Sequence, residues 1–297
     1  EDYNMATTRG NLFDPQLVTD LINKVKGRSS LAVLSKQHPI PFNGQKEFTF
    51  TMDKEIDIVA EGGAKSEGGI SLAPVTIIPI KFEYGARVSD EFLYSTEEEK
   101  IEILKAFNEG FAKKVAKGLD IAAMHGVNPR TGTASSVIGT NNFDSKVTQT
   151  VDYAEAAIDD NIDAGIVLVE GSERDVTGIA ISPAARTGLS KLKNTNGEQR
   201  YPEFRFGGKP STLGAQTLEI NKTVSTGEKD EGIVGDFENM FRWGYAKNIK
   251  LEVIEYGDPD NSGNDLKGHG QVYIRAEVYL GWGILDADSF ARIKKAE

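Results

Sequence analysis

Cysteine is absent from the 297-residue sequence, which excludes disulfide bonds, thiolate zinc sites and a cysteine nucleophile. Long hydrophobic runs are also missing, because the longest clean runs span only a few residues, such as 166–169, whereas a membrane helix needs about 18. The first ten residues contain neither the basic nor the apolar region of a secretory signal. The sequence therefore predicts a protein of the cytoplasm that has no contact with a membrane.

Positive charge is scarce, since 34 lysines and arginines face 45 acidic residues and leave a formal net charge of −11. Such a surface repels nucleic acid at long range, which argues against a free-standing DNA-binding module. Glycine, in contrast, is abundant, and the clustering of its 31 residues predicts hairpin tips and tight loops. At about 150 residues per domain, the length predicts two domain-sized cores.

Motifs for catalysis and for cofactor binding are missing as well. His38, His125 and His269 are isolated from one another, and there is no nucleophile elbow or phosphate-binding loop. An acid/base pair of carboxylates stays open for sugar chemistry, but 45 acidic residues make coincidental pairs certain. We therefore predict no catalytic residues, no cofactor and no enzymatic activity.

One polar loop near the C-terminus resembles the start of a calcium loop. Asp258, Asp260 and Asp265 are its candidate ligands, and Gly263 stands at the sixth position. The twelfth position, which should be a glutamate, is His269, and the flanking residues predict strands rather than helices. A solvated turn without calcium is therefore the favoured interpretation.

Residues 46–84 predict a long hairpin. Apolar and polar residues alternate with the period of a half-buried strand, and the apolar positions of the first run are Phe48, Phe50, Met52, Ile56 and Ile58. The tip, residues 61–69, holds four glycines, and the predicted return strand runs from Val75 to Tyr84. Since Pro74 and Pro79 cannot donate to a ladder, this strand is expected at an edge.

A two-stranded hairpin is marginally stable by itself, so a neighbouring subunit is its expected support. The candidate intersubunit contacts are Glu61, Lys65, Glu67, Phe48, Phe50, Ile80 and Phe82.

Residues 95–125 predict a helix of about 45 Å, at 1.5 Å per residue. Either Ser95 with Glu98 or Thr96 with Glu99 forms a capping box, and Gly126 follows the last turn. The apolar stripe comprises Ile101, Leu104, Phe111, Val115, Leu119 and Ala122. The lysines of this helix at positions 113, 114 and 117 face either a packaged polyanion or water, and the sequence does not decide which.

The remaining segments predict an arm and an α/β layer. Leu17, Val18, Leu21, Ile22 and Val25 have helical spacing within an arm that has little core of its own. Downstream we predict a helix near 152–164, a buried strand at 177–182, a helix that begins at Pro183, and strands at 216–220 and 232–236. Two further strands are expected at 249–256 and 271–280.

This order of elements resembles the major capsid proteins of tailed bacteriophages, whose fold is shared with encapsulin shells. The resemblance extends from about Asn11 over nearly the whole chain. The phrases that carry it are KEFTF…AEGGAKSEGG, EEEKIEILKAFNEGFAKKVAKGLDIAAMHG, IAISPAARTGLSKLKNTNGEQRYPEF, IVGDFENMFRW and QVYIRAEVYLGWGILDADSFARI.

The resemblance implies an α+β fold with an N-terminal arm at 1–45 and an extended β-hairpin loop at 46–84. It implies a peripheral domain with the spine helix at 85–135 and 246–282, and a mixed α/β axial domain at 136–245 and 283–297. The implied function is self-assembly into an icosahedral shell that encloses viral double-stranded DNA. An encapsulin-type nanocompartment shell and an acidic soluble α/β hydrolase are the two alternatives.

The resemblance also implies partners: hexamers and pentamers of the same chain, a scaffolding protein or protease, a portal, packaged DNA contacted non-specifically, and in some capsids a decoration protein. The shell is expected in the virion after assembly in the host cytoplasm. Many members begin with a mostly helical scaffolding segment, whereas this sequence begins at Glu1. Removal by a protease, a separate scaffolding protein and a trimmed start all stay open.

Some members of this family cross-link a hairpin lysine to an asparagine, with a glutamate as the base. Lys65 can supply the amine here, but His269 and Ala276 stand where the asparagine and the glutamate are expected. Glu277 is predicted to face the opposite way, and Asn264 lies in a loop without a base. We therefore expect no cross-link.

Overall fold

The computed structural model describes residue 24 and residues 28–295. The apolar residues at 17–25 that predict a helix in the arm lie outside these described residues. In the described part, helices and strands are mixed, and no helix is both long enough and apolar enough to cross a membrane.

Eleven strands and seven α-helices follow one another in the described part of the chain. The strands are β1 (Gln45–Met52), β2 (Ile70–Ile77), β3 (Ile80–Ser89), β4 (Thr150–Asp152), β5 (Gly178–Ile181), β6 (Thr212–Leu213), β7 (Gln216–Ile220), β8 (Asp230–Gly235), β9 (Phe241–Ile254), β10 (Gln271–Ile284) and β11 (Phe290–Lys294). The helices are α1 (Ser30–Leu34), α2 (Glu91–Tyr94), α3 (Glu97–His125), α4 (Phe143–Lys146), α5 (Ile158–Gly171), α6 (Pro183–Lys191) and α7 (Phe237–Met240).

The strands form three separate sheets. β1 and β2 pair only with each other, as an antiparallel hairpin. β3, β10 and β9 form an antiparallel three-stranded sheet in that order. The third sheet is mixed and has the strand order β4-β11-β8-β5-β7-β6, with α5 packed against β8 and β11.

Helix α3, the spine helix, confirms the prediction for its position and both of its ends. Thr96 and Glu99 form the capping box, and Gly126 closes the helix in the left-handed conformation at φ +66°. Phe111, Val115 and Leu119 are buried as expected. Ile101 was expected in the same stripe but is 57% exposed, because the buried face of the helix begins only at Leu104.

The prediction of one return strand from Val75 to Tyr84 is wrong. The chain forms two strands there, β2 and β3, and Pro79 stands between them without an N–H to continue the ladder. β3 pairs with β10, so Ile80 and Phe82 pack against the main core of their own chain rather than on the hairpin. The hairpin therefore ends at Ile77.

Several other boundaries also differ from the predictions. The helix expected at 152–164 is α5 at Ile158–Gly171, and the strand expected at 232–236 is β8. β9 and β10 are longer than predicted, and the sequence reading missed β4, β6 and β11. β11 is short, yet four of its five residues are buried, and it lies between β4 and β8.

The described part of the arm inserts into the main core, which corrects the expectation that it adds little to a core. Leu31, Leu34 and Ile40 are buried. The N–H of His38 donates to the carbonyl of Trp243 at 2.8 Å, so the arm runs alongside β9. The main core joins this arm, the spine helix, the three-stranded sheet and part of the six-stranded sheet, and a second core lies under α5 and α6.

Candidate functional site

The hairpin presents an apolar face that is exposed to solvent. Directly opposed residues of an antiparallel pair lie on the same face, and the register opposes Phe48 to Pro74, Phe50 to Leu72 and Met52 to Ile70. Phe48 is 62% exposed and Leu72 is 61% exposed. Within the described residues nothing covers this apolar face, and contiguous exposed apolar surface of this kind marks an interaction site.

The hairpin is anchored at its root and open at its tip. Ile77 is buried over Gly281 and Gly283, and a Cβ at Gly283 would lie 2.8 Å from the side chain of Ile77. At the far end, the N–H of Gly69 donates to the carboxylate of Asp53 at 2.6 Å and closes the ladder. Beyond it extends an exposed loop that holds three of the candidate contacts: Glu61, Lys65 and Glu67.

The structure thus brings together five of the seven candidate contacts, two on β1 and three on the tip loop. It separates Ile80 and Phe82 from them. Phe82 lies against Gly118 of the spine helix and its ring is 6.3 Å from that of Trp282. These two side chains support the protomer itself.

Two of the three candidate calcium ligands are bound by an arginine. The guanidinium of Arg87, on β3, donates to the carboxylate of Asp258 at 2.7 Å and to that of Asp260 at 2.9 Å. The Arg87 hydrogen bond lowers the pKa of Asp260. Asp265 does not join this cluster, because it accepts the N–H groups of Gly257 and Gly268 and closes the turn. A fixed positive charge therefore takes the place that a cation would need.

Sequence reasoning missed a buried charged cluster that connects the spine helix to the six-stranded sheet. Arg292 of β11 donates two hydrogen bonds of 2.9 Å to Asp230 and approaches Asp144 at 2.9 Å. His125 lies 3.2 Å from Asp144 through Nδ1 and 3.0 Å from the carbonyl of Thr223 through Nε2. Because a carbonyl only accepts, Nε2 carries a proton.

The charges in this cluster shift one another's pKa values. Burial raises the pKa of Asp230 to about 6 against the opposing effect of Arg292. Burial opposes the charging of His125, but the hydrogen bond and charge of Asp144, together with the Thr223 carbonyl and the charge of Asp230, outweigh it and raise the pKa of the imidazole. His125, Asp144 and Asp230 have the donor types of a metal site. Arg292 already binds both carboxylates, so the cluster is a set of internal ion pairs.

A second buried group missed from the sequence is Asp120, near the C-terminal end of the spine helix. Its carboxylate accepts the N–H groups of Ser30 at 2.9 Å and Leu31 at 3.2 Å, at the start of α1. It also accepts the hydroxyl of Thr223 at 2.8 Å and is hydrogen-bonded to the hydroxyl of Ser29. Burial raises the pKa of Asp120. This one side chain joins the arm, the spine helix and the turn at 222–228.

An exposed apolar hairpin that nothing covers within the described residues is the surface of a protein that associates with a partner through it. The sequence matches the family model described as the phage capsid family over residues 9–295, and the chain therefore belongs to this family. It is a major capsid protein of the virion shell, and it assembles with copies of itself.

Solved structures agree with this assignment. A chain from Mycobacterium phage Ogopogo is 31% identical with a TM-score of 0.77, and the match covers 91% of this chain and 92% of that one. A chain from Gordonia phage Cozz is 24% identical with a TM-score of 0.75, covering 91% and 87%. The capsid of a native GTA particle is 15% identical with a TM-score of 0.65, covering 100% and 99%, and shows the shared fold.

No curated protein matches the sequence. The family match and the solved structures favour the capsid protein over both the encapsulin shell and the hydrolase.

Proposed function

We propose that the chain builds hexamers and pentamers that close an icosahedral shell around viral double-stranded DNA in the host cytoplasm. The observation that carries this proposal is the exposed apolar face of the hairpin. Rings form when one patch of a subunit contacts a different patch on the next and the rotation closes. A long projecting hairpin is suited to such a contact.

Within this shell we assign the peripheral domain to 85–135 and 246–282 and the axial domain to 136–245 and 283–297. The spine helix and most of the three-stranded sheet fall in the first, and the whole six-stranded sheet falls in the second. The arm keeps residues 1–45, and the hairpin is shortened to end at Ile77 because β3 belongs to another sheet.

The hairpin is proposed to lie across a neighbouring subunit with its apolar face against the surface of that subunit. Two strands alone are marginally stable in water, and this pair has three exposed apolar cross-strand pairs on one side. The opposite face carries Glu47 and Thr49 of β1 and suits water. On the tip loop, Glu61, Lys65 and Glu67 supply the polar rim that surrounds the apolar centre of an interface.

DNA is proposed to be contacted without sequence specificity. The three lysines of the spine helix that the sequence left undecided are exposed, and they are available for phosphate contacts. With a net charge of −11 the shell does not hold its cargo tightly at every phosphate. A scaffolding protein or protease, a portal and, in some capsids, a decoration protein complete the proposed partners, on the strength of the family resemblance.

Deletion of the tip, residues 61–69, tests the role of the hairpin. We expect a folded subunit with an unchanged melting temperature and a large loss of particles in size-exclusion chromatography and negative-stain microscopy. A sharper pair compares Phe48→Ser/Phe50→Ser with Thr49→Ser, which changes the opposite face of the same strand. Particles of normal yield and stability from the Phe48/Phe50 variant would refute the proposed contact.

A further inference from the structure

One aromatic side chain in the axial domain is held out into solvent. The turn Pro202–Gly207 buries Phe204 in the second core, whereas Phe206 is 100% exposed. Phe206 has φ +54°, a left-handed conformation that a bulky residue rarely adopts. The guanidinium of Arg205 lies 5.4 Å from the centre of its ring. Strain of this kind persists where the local fold imposes it, and it is frequent at ligand contacts.

A cavity of about 360 Å³ lies on the same domain between α5 and the β6–β7 turn. Its walls are largely apolar and comprise Ile162, Ile166, Ile179, Leu189, Leu213 and the ring of Tyr201. A cavity of about 150 Å³ with such a lining accommodates a benzene ring, so this one has room for a phenylalanine side chain. Exposed Gly214 and Ala215 line its mouth.

The charges beside the two features are complementary. Asp159 and Asp163 line the cavity, and Asp159 is paired with Arg200 at 2.5 Å. Asp163 is exposed and forms no ion pair within the described part of the chain. Arg205 therefore has the opposite charge to Asp163. It lies next to the Phe206 ring, and Asp163 lies next to the cavity that has room for this ring.

We infer that Phe206 of one subunit inserts into this cavity of the next subunit around a capsomer ring, with Arg205 placed against Asp163. Tyr201 and Leu213, which line the cavity, flank Phe206 in the sequence. When each subunit gives its ring to one neighbour and accepts a ring from the other, the contact is head-to-tail, and it closes a ring if the rotation between neighbours closes. This inference rests on the proposed function, because the ring itself is part of that proposal. It adds a contact in the axial domain that is separate from the hairpin.

The absence of cysteine allows a direct test. Two chains, one with Phe206→Cys and one with Ala215→Cys, are co-assembled with an excess of the unmodified chain and then oxidised. A non-reducing gel is expected to show a band at twice the 32.3 kDa monomer mass only when both variants are present. Particles without this band, or with the band from Phe206→Cys alone, would overturn the inference. Failure of the unmodified chain to form any particle would overturn the proposed function as well.

A second pair of variants separates docking from folding. Glycine accepts the left-handed conformation, so Phe206→Gly should not lower the melting temperature of the subunit, yet particle yield should fall on the order of tenfold, as for an aromatic anchor. Tyr256→Ala, which truncates another exposed aromatic, is the control and should assemble normally. Arg205→Glu and Asp163→Arg should each impair assembly and together restore it. Normal assembly of Phe206→Gly, or no restoration by the charge swap, would contradict the contact.

Discussion

Substitution of Asp120 by alanine is expected to release the arm from the spine helix. The carboxylate accepts two backbone N–H groups at the start of α1, and both are buried. Neither N–H can turn to another acceptor without moving the helix start. The hydroxyls of Ser29 and Thr223 can rotate, so their loss contributes less.

The expected loss of stability in Asp120→Ala follows from the two N–H groups, of Ser30 and Leu31, that lose their acceptor. Each buried polar group without a partner costs about 1–3 kcal/mol, so the two N–H groups alone predict a loss of about 2–6 kcal/mol of unfolding free energy. Domains are stable by only about 5–15 kcal/mol, so Asp120→Ala should unfold part of the population. Asp120→Asn keeps one oxygen and the volume of the side chain, and we expect it to retain part of this free energy.

The measurement is urea unfolding of the unassembled subunit, followed by circular dichroism, with linear extrapolation to water. Glu102→Ala, an exposed position on the same helix, is the control and should change stability by less than about 0.5 kcal/mol. If Asp120→Ala unfolds like the control, the carboxylate does not hold the arm and the assignment is wrong.

Further predictions concern the core, the polar loop, the shell and the charged cluster. Replacing Phe111 and Val115 together with alanine should cost several kcal/mol in the same unfolding assay, since large-to-small core changes cost about 2–5 kcal/mol each; an unchanged curve would contradict their burial. Calorimetry should find no tight calcium site in the unmodified chain, and Arg87→Ala should raise protease cleavage in the loop that Arg87 holds. Particles boiled in detergent should give one band near 32.3 kDa; a ladder that disappears with Lys65→Ala would show a cross-link. Because the pKa of His125 is raised above 6.5 in the folded state, its protonation stabilises the fold fully below pH 6.5, and this contribution is lost as the pH rises through the raised value. The melting temperature of the unmodified chain should therefore fall as the pH rises above 6.5, and it should fall less steeply in His125→Gln.

The long helix and the short Pro-led helix were predictable because their signals are local. Thr96 and Glu99 lie three residues apart, and Gly126 directly follows the last turn. Pro183 begins α6 after Ser182, whose side chain caps the helix. By contrast, α5 begins after Ala157, which provides no capping side chain, so the sequence holds no sign of its start.

The hairpin was predicted with the right apolar face on β1, but both of its strands were predicted too long. β1 ends at Met52 rather than at Ile58, which lies in the tip loop, and β2 ends at Ile77. The apolar run at 77–80 leaves no polar gap in the sequence, so the pattern alone does not separate β2 from β3. Only the pairing of β3 with β10 shows that Ile80 and Phe82 belong to the core. Pairing between segments so distant in sequence is outside the reach of a periodicity argument.

The buried polar groups were not predictable from spacing. His125 and Arg292 are far apart in the sequence and meet only through Asp144 and Asp230. For Asp120 one sign was present, because an acid next to Leu119 falls within the buried stripe of an amphipathic helix. A buried carboxylate requires hydrogen-bond donors. This requirement predicts that Asp120 contacts polar groups of another segment.

The hydrogen bonds of Asp120 also constrain the order in which parts of the chain fold during synthesis on the ribosome. Ser29 lies 91 residues before this carboxylate and Thr223 lies 103 residues after it. At about 5–20 residues per second, synthesis from the first to the last of these residues takes on the order of 10–40 s. During that interval the start of the arm has already been made, but its docking site is still incomplete. This part of the arm is therefore made well before the residues that complete its docking site, and Leu31 and Leu34 reach their native burial only after β7 has been synthesised.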